Sequence, residues 1–227
     1  MALMTELVAG LDARRVRANL EGVREEVTAA AERAGRGDAA EVQILAAVKY
    51  VPTAELPVLA EAGIGLLGEN RAQDLQEKVA ATGETFTWDF IGAVQSRKVR
   101  TIVPHVRLIH SIASESALGE LAKHRDRARP GLEVLIEVNL SGEHGKAGIA
   151  PERLDEFIQR CPVPVAGLMT MPPLAERSQD SRRWFAALRE LAQGRRLRHL
   201  SMGTTQDFAV AVEEGATIVR IGTRLYR

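Results

Sequence analysis

The chain has 227 residues, 45% hydrophobic and 26% charged, which is ordinary globular composition with enough length to bury a sizeable core. Lys+Arg and Asp+Glu both number 30, so the basic surplus that a sequence-independent nucleic-acid binder needs against phosphate charge is absent. The single cysteine, Cys161, excludes an internal disulfide and argues against a thiolate metal cluster, and it reads as a buried, inert thiol.

In chain order, residues 12–34 come first, with Val16, Leu20, Val23 and Val27 at helical spacing among Arg and Glu. No uninterrupted apolar segment opens the chain, so neither a signal peptide nor a membrane span is expected, and the cytoplasm is the expected setting. After a break at residues 35–41, short runs rich in Val, Ile and Leu alternate with longer amphipathic stretches. The runs predict strands over residues 42–48, 66–68, 87–91, 108–111, 134–139, 165–169, 199–201 and 217–221. Helical patterns fall between them at 53–62, 69–80, 115–127, 151–159, 180–193 and 206–214, with a weaker one at 96–103. Apolar runs without strict alternation suit strands buried on both faces, and repeated strand–helix units imply a parallel sheet. Eight of them predict an α/β fold, a single (β/α)8 TIM-type barrel with an extra N-terminal helix, filling residues 1–227 as one domain with no room for a second. An open doubly wound sheet is the alternative.

Three places carry chemistry. Lys49 follows Ala46-Ala47-Val48 at the end of the first strand run. Barrels of this kind place their active sites at that end, and a lysine in a partly dry pocket can react as a free amine. Taken alone, a strand-end lysine more often reaches to water. The seventh run leads into Ser201-Met202-Gly203-Thr204-Thr205 and a helix near Gln206, a small loop with free N–H groups for an anion, Thr204 or Thr205 being the expected helix cap. The eighth run leads into Gly222-Thr223, and the loops after strands seven and eight are where such barrels frequently hold phosphate. Arg220 interrupts the apolar eighth run and needs a buried partner, either an internal carboxylate or a bound cofactor.

Other patterns carry less. Gly63-Ile64-Gly65-Leu66-Leu67-Gly68 matches the dinucleotide fingerprint in letters, but it follows a helix and enters a strand, the reverse of what that site requires. The cluster Arg195, Arg196, Arg198 reads as a solvated face. No histidine spacing suits a metal.

With these residues in view the chain resembles the pyridoxal phosphate homeostasis proteins, which are similar to the N-terminal barrel of alanine racemases. The resemblance rests on Ala47-Val48-Lys49, Gly68-Glu69-Asn70, Phe90-Ile91-Gly92 with Gln95-Ser96 and Lys98, Val138-Asn139, Lys146-Ala147-Gly148-Ile149, Gly167-Leu168-Met169, Leu200-Ser201-Met202-Gly203 and Val219-Arg220-Ile221-Gly222-Thr223. It implies that Lys49 holds pyridoxal 5′-phosphate as an aldimine, that Ser201, Gly203, Gly222 and Thr223 hold the phosphate, that Arg220 lies near the pyridine nitrogen, and that Asn70 lies near the ring. The chain departs from the family pattern at Leu67, Thr204-Thr205 and Arg227. The function implied is an intracellular carrier or buffer of the cofactor without robust catalysis, its partners the cofactor and the apo-enzymes that receive it, with no nucleic acid, membrane or metal. The alternative is an amino-acid racemase, which needs a base on each face of the substrate Cα. Tyr50, expected to point away from Lys49 along an extended strand, and Tyr226, expected in a mobile tail, supply no second base.

Overall fold

A computed structural model of the chain describes residues 7–37, 39–143 and 145–227. Eight parallel strands close into a barrel in the order β1 to β8: Gln43–Ala47, Leu66–Glu69, Thr87–Phe90, Leu108–Ile112, Glu133–Glu137, Val165–Met169, His199–Thr204 and Ile218–Ile221. The strands are predicted to within a few residues, and the open-sheet alternative is excluded by the β1–β8 pairing, Leu45 opposite Arg220 and Ala46 opposite Ile221.

Helix α1 (Ala13–Arg33) precedes the barrel, its Asp12 cap accepting from the Arg15 N–H. Its buried stripe, Val16, Leu20, Val23 and Val27, is the one read from the sequence. The helices between strands are α2 (Leu56–Glu61), α3 (Ala72–Thr82), α4 (Val99–Ile102), α5 (Glu115–Lys123), α6 (Leu154–Arg160), α7 (Arg182–Gln193) and α8 (Phe208–Glu213). Because α2 precedes β2 across residues 62–65, the glycine-rich decoy runs from a helix-to-strand turn into β2. Cys161 is half-buried, and burial pushes its thiol pKa up. Arg195 pairs with Asp155 and Arg198 with Glu133, as a solvated charged face should. No helix among the described residues is long and apolar enough to cross a membrane, and no cluster of three or more of their acidic, histidine and cysteine side chains is placed to hold a metal ion.

Strand alternation divides the side chains into two sets. Val134, Ile136, Leu168, Val219 and Ile221 join the large outer core against the helices. Leu45, Leu108, Leu135, Ala166, Met169 and Ile218 form a separate, smaller cluster that fills the barrel. Glycines let strands and loops approach where a side chain could not fit. A Cβ at Gly167 would run into the His199 carbonyl, and one at Gly92 into the carbonyl of Asn70.

Four local expectations are corrected. β7 runs on to Thr204, so Gly203 is in the strand, with φ +89°. Neither Thr204 nor Thr205 caps α8: Thr204 donates to Asp207 Oδ1 from its backbone N and its hydroxyl, at 2.7 and 3.1 Å, while the Thr205 hydroxyl accepts from the Gly222 N–H at 3.2 Å. Tyr50 does not point away from Lys49. β1 ends at Ala47 and the chain turns at once, with Val51 N–H bonded to Val48 O, which brings Lys49 Nζ 4.8 Å from the Tyr50 ring centroid. Tyr226 is not in a mobile tail. It lies in a short helix, α9 (Thr223–Tyr226), buried, with its hydroxyl donating to Ala47 O at 3.2 Å.

Candidate functional site

Closure of the barrel makes neighbours of the ends of β7, β8, β1 and β2, through Thr204 opposite Arg220, Ala46 opposite Ile221, and Ala47 opposite Gly68. One sector of the mouth therefore gathers Gly203, Gly222, Thr223, Lys49 and Asn70 from positions far apart in the chain. Lys49 and Asn70 are half-buried, and Thr223 is exposed. The Asn70 side chain makes no hydrogen bond to the described residues. A Cβ on Gly222 would sit in ordinary van der Waals contact with Ala47, at 3.9 Å, so the end of β8 lies against the strand that leads to Lys49.

The strand end beneath Lys49 is clamped. Buried Lys78, from α3, donates to Val48 O at 2.7 Å and to Glu69 Oε2 at 2.5 Å. Glu69 Oε1 accepts from the Asn70 and Arg71 N–H groups at 2.5 and 3.1 Å. With Tyr226 on Ala47 O, the two carbonyls before Lys49 are both fixed from outside the sheet. Burial, with the nearby Glu69 charge adding, pushes the Tyr226 phenol well above its usual pKa.

Arg220 has no carboxylate in ion-pair contact, contrary to the internal salt bridge offered as one explanation for it. Its NH1 donates to Ser201 O at 2.8 Å and Ser201 Oγ at 2.6 Å, and its NH2 to Thr170 O at 3.2 Å and Met171 Sδ at 2.8 Å. Four of the five guanidinium N–H donors are thus taken, and nothing among the described residues accepts from Nε–H. Burial pulls the pKa down to about 10, against the pull of Glu137 and Asp207, which leaves the group charged at neutral pH. A cavity of about 80 Å³ reaches Arg220 beside Gly203, Thr204 and Asp207, under the loop that carries Met171 and Leu174.

Ser201 is fully buried below this mouth. Its Oγ lies 2.8 Å from His110 Nδ1, and His110 Nε2 lies 3.1 Å from Asp89 Oδ2. Asp89 also takes Arg107 Nε at 2.9 Å and NH2 at 3.1 Å. The order Ser–His–Asp matches a hydrolytic triad, but all three residues are wholly buried and Ser201 Oγ is already occupied by Arg220, so no substrate carbonyl can reach it.

Sequence reading missed Glu137, at the end of β5 and across the barrel from β1. It is 6% exposed, and its carboxyl group makes no hydrogen bond to the described residues, while its backbone carbonyl accepts from Ile149 N–H at 2.8 Å. Burial raises its pKa, opposed by the charges of Arg220 and Lys146. A glutamate ending an otherwise apolar strand run was the available signal. Thr205 was read only as a cap, and Lys78, His110 and Tyr226 gave no local sign of their roles. The segments 90–92 and 146–148 now have a structural reason. Gly92 packs on the Asn70 backbone, and Gly148, at φ +111°, lets Ile149 bridge to Val138, its would-be Cβ only 2.5 Å from Asn139 N.

A family model described as the alanine racemase N-terminal domain matches residues 14–227. The pyridoxal phosphate homeostasis protein of Aquifex aeolicus is 41% identical over 218 residues, covering 91% of this chain and 95% of that one. Its counterpart in Pseudomonas aeruginosa is 39% identical, over 92% and 93%. Among solved structures, PipY of Synechococcus elongatus with PLP bound superposes with a TM-score of 0.77 at 30% identity, covering 93% of this chain and all of that one.

Proposed function

The chain belongs to the pyridoxal phosphate homeostasis protein family, on the barrel of the alanine racemase N-terminal domain, and from that premise we propose that it binds pyridoxal 5′-phosphate at Lys49 and keeps it as a carrier in the cytoplasm, for delivery to apo-enzymes. The observation that carries this reading is the joining, in one sector of the barrel mouth, of a lysine on a clamped strand end, two donor-bearing loops and a buried arginine with one N–H left over. That set fits the cofactor's aldehyde, phosphate and ring nitrogen in turn. PipY, whose structure holds PLP, supports it.

When bound, the cofactor supplies an aldehyde that a lysine amine can take and a ring that withdraws electrons. Lys49 is the attachment point, and Lys78 and Tyr226 hold its strand end still. Thr223 and the small-residue backbone at Gly203 and Gly222 hold the phosphate, and Thr205 joins them because its hydroxyl oxygen, which accepts from the Gly222 N–H, leaves its own hydrogen to donate. The Ser201 hydroxyl does not reach the phosphate, being buried and committed to Arg220 and His110. Arg220 donates to the ring nitrogen and, being a guanidinium, does not transfer a proton to it. Asn70 stands beside the ring.

Retention in place of turnover follows from the scarcity of bases. Tyr226 is spent on Ala47 O, and Tyr50 lies on the side of Lys49 itself. The racemase alternative would need Glu137, across the barrel, as its second base. The test is uptake of pyridoxal 5′-phosphate by purified protein with a yellow absorption band, lost in Lys49→Ala, and no sustained racemisation of alanine. Racemisation abolished by both Lys49→Ala and Glu137→Gln would overturn the carrier reading, and a protein that stays colourless would overturn binding.

A further inference from the structure

The line Asp89–His110–Ser201 beneath Arg220 has no part in holding the cofactor directly, yet it spans the inside of the barrel. Its hydrogens can be assigned. Asp89, ion-paired with Arg107, can only accept, so His110 Nε2 carries the hydrogen that meets it. His110 Nδ1 is then an acceptor and takes the Ser201 hydroxyl hydrogen. Ser201 Oγ keeps its lone pairs for Arg220 NH1. Every donor points from Arg220 down to Ser201 and on to His110, and His110 closes the line on Asp89.

We propose that Asp89, His110 and Ser201 are positioning residues that lock the Arg220 guanidinium so that Nε–H alone is left for the ring of a ligand in the mouth. This rests on the cofactor reading above for the identity of that ligand. The neighbouring interior positions Leu45, Leu108, Leu135 and Ile218 are apolar, so hydrocarbon can fill this barrel. A buried polar column is tolerated only when every member is satisfied, and it then specifies one arrangement. Here the arrangement it specifies is that of the arginine at its upper end. Burial keeps His110 neutral by lowering its pKa, with Asp89 opposing, which preserves the acceptor that Ser201 needs.

Two variants cut the line, Ser201→Ala and His110→Phe, and His110→Gln restores an acceptor. In ligand-free protein, nitrogen-15 NMR should show the native Arg220 guanidinium with slow rotation and separate terminal N–H signals. It should show His110 as the neutral Nε2–H tautomer. Both cut variants should average the Arg220 signals, and His110→Gln should restore them. In protein loaded with pyridoxal 5′-phosphate, the cut variants should shift the pH titration of the bound absorption band and release the cofactor roughly ten-fold faster, the scale of one charge-assisted hydrogen bond. Ser201→Ala, which removes a single oxygen, serves if His110→Phe does not fold. A lowered melting temperature with Arg220 still locked and the band titration unchanged would overturn the proposal. A locked Arg220 in a protein that takes up no pyridoxal 5′-phosphate would overturn the cofactor reading and leave the positioning role standing.

Discussion

Glu137 shows how one residue in a strand run can be worth more attention than its surroundings suggest. Its buried carboxyl has a pKa above the ordinary range because desolvation outweighs the Arg220 and Lys146 charges. Below about pH 4 the group is protonated folded or unfolded, and its stability contribution is fully present. As the pH rises the unfolded chain ionises first, so stability is lost until the folded group ionises too. Glu137→Gln should therefore raise the melting temperature of the ligand-free protein at neutral pH, with the gain shrinking towards zero as the pH falls to about 4. Thermal melts across that range check it. Lys49 makes the complementary point: the residue was found by its place at a strand end, while the Tyr50 ring beside it followed from a turn that alternation does not foresee.

At the scale of elements, the site depends on how the strand ends are held. The Lys78–Glu69 pair ties α3 to the ends of β1 and β2, and both side chains are buried. Removing one partner of a buried pair leaves an uncompensated charge, so Lys78→Met should cost about 3–5 kcal/mol. It should also loosen cofactor retention, because Val48 O loses its donor one residue before Lys49. Urea unfolding and a dissociation rate measure the two effects. The same clamp was invisible beforehand because Lys78 looks like any solvated helix lysine until α3 docks. By contrast α1 was legible to within a residue at each end, since its apolar stripe is a local property.

For the molecule as a whole, the barrel closes by pairing β1 with β8, and the two ends of the chain reinforce that seam. Asn19 of α1 donates to Leu225 O and Arg227 O at 3.1 and 2.9 Å, Arg224 pairs with Glu26, and Leu225 and Tyr226 are buried. Deleting residues 223–227 should lower the midpoint of the whole unfolding transition and speed cofactor release, since the seam and the Ala47 O contact are lost together. Denaturation followed by circular dichroism and by tryptophan fluorescence checks this, and the two curves are expected to coincide.

The order of eight strands and their helices, the lysine at the first strand end and the small-residue segments that end the seventh and eighth strands are written in the sequence, because periodicity and glycine placement act over a few residues. Closure decided the rest. It set Lys49 beside loops more than 150 residues away, gave Arg220 carbonyl, hydroxyl and sulfur acceptors in place of a carboxylate, sank Ser201 below the mouth and fixed Tyr226 on the strand that bears Lys49. Those relations join residues from different strands across the barrel. No local pattern encodes them, because each depends on which side chains meet once the apolar runs are buried together.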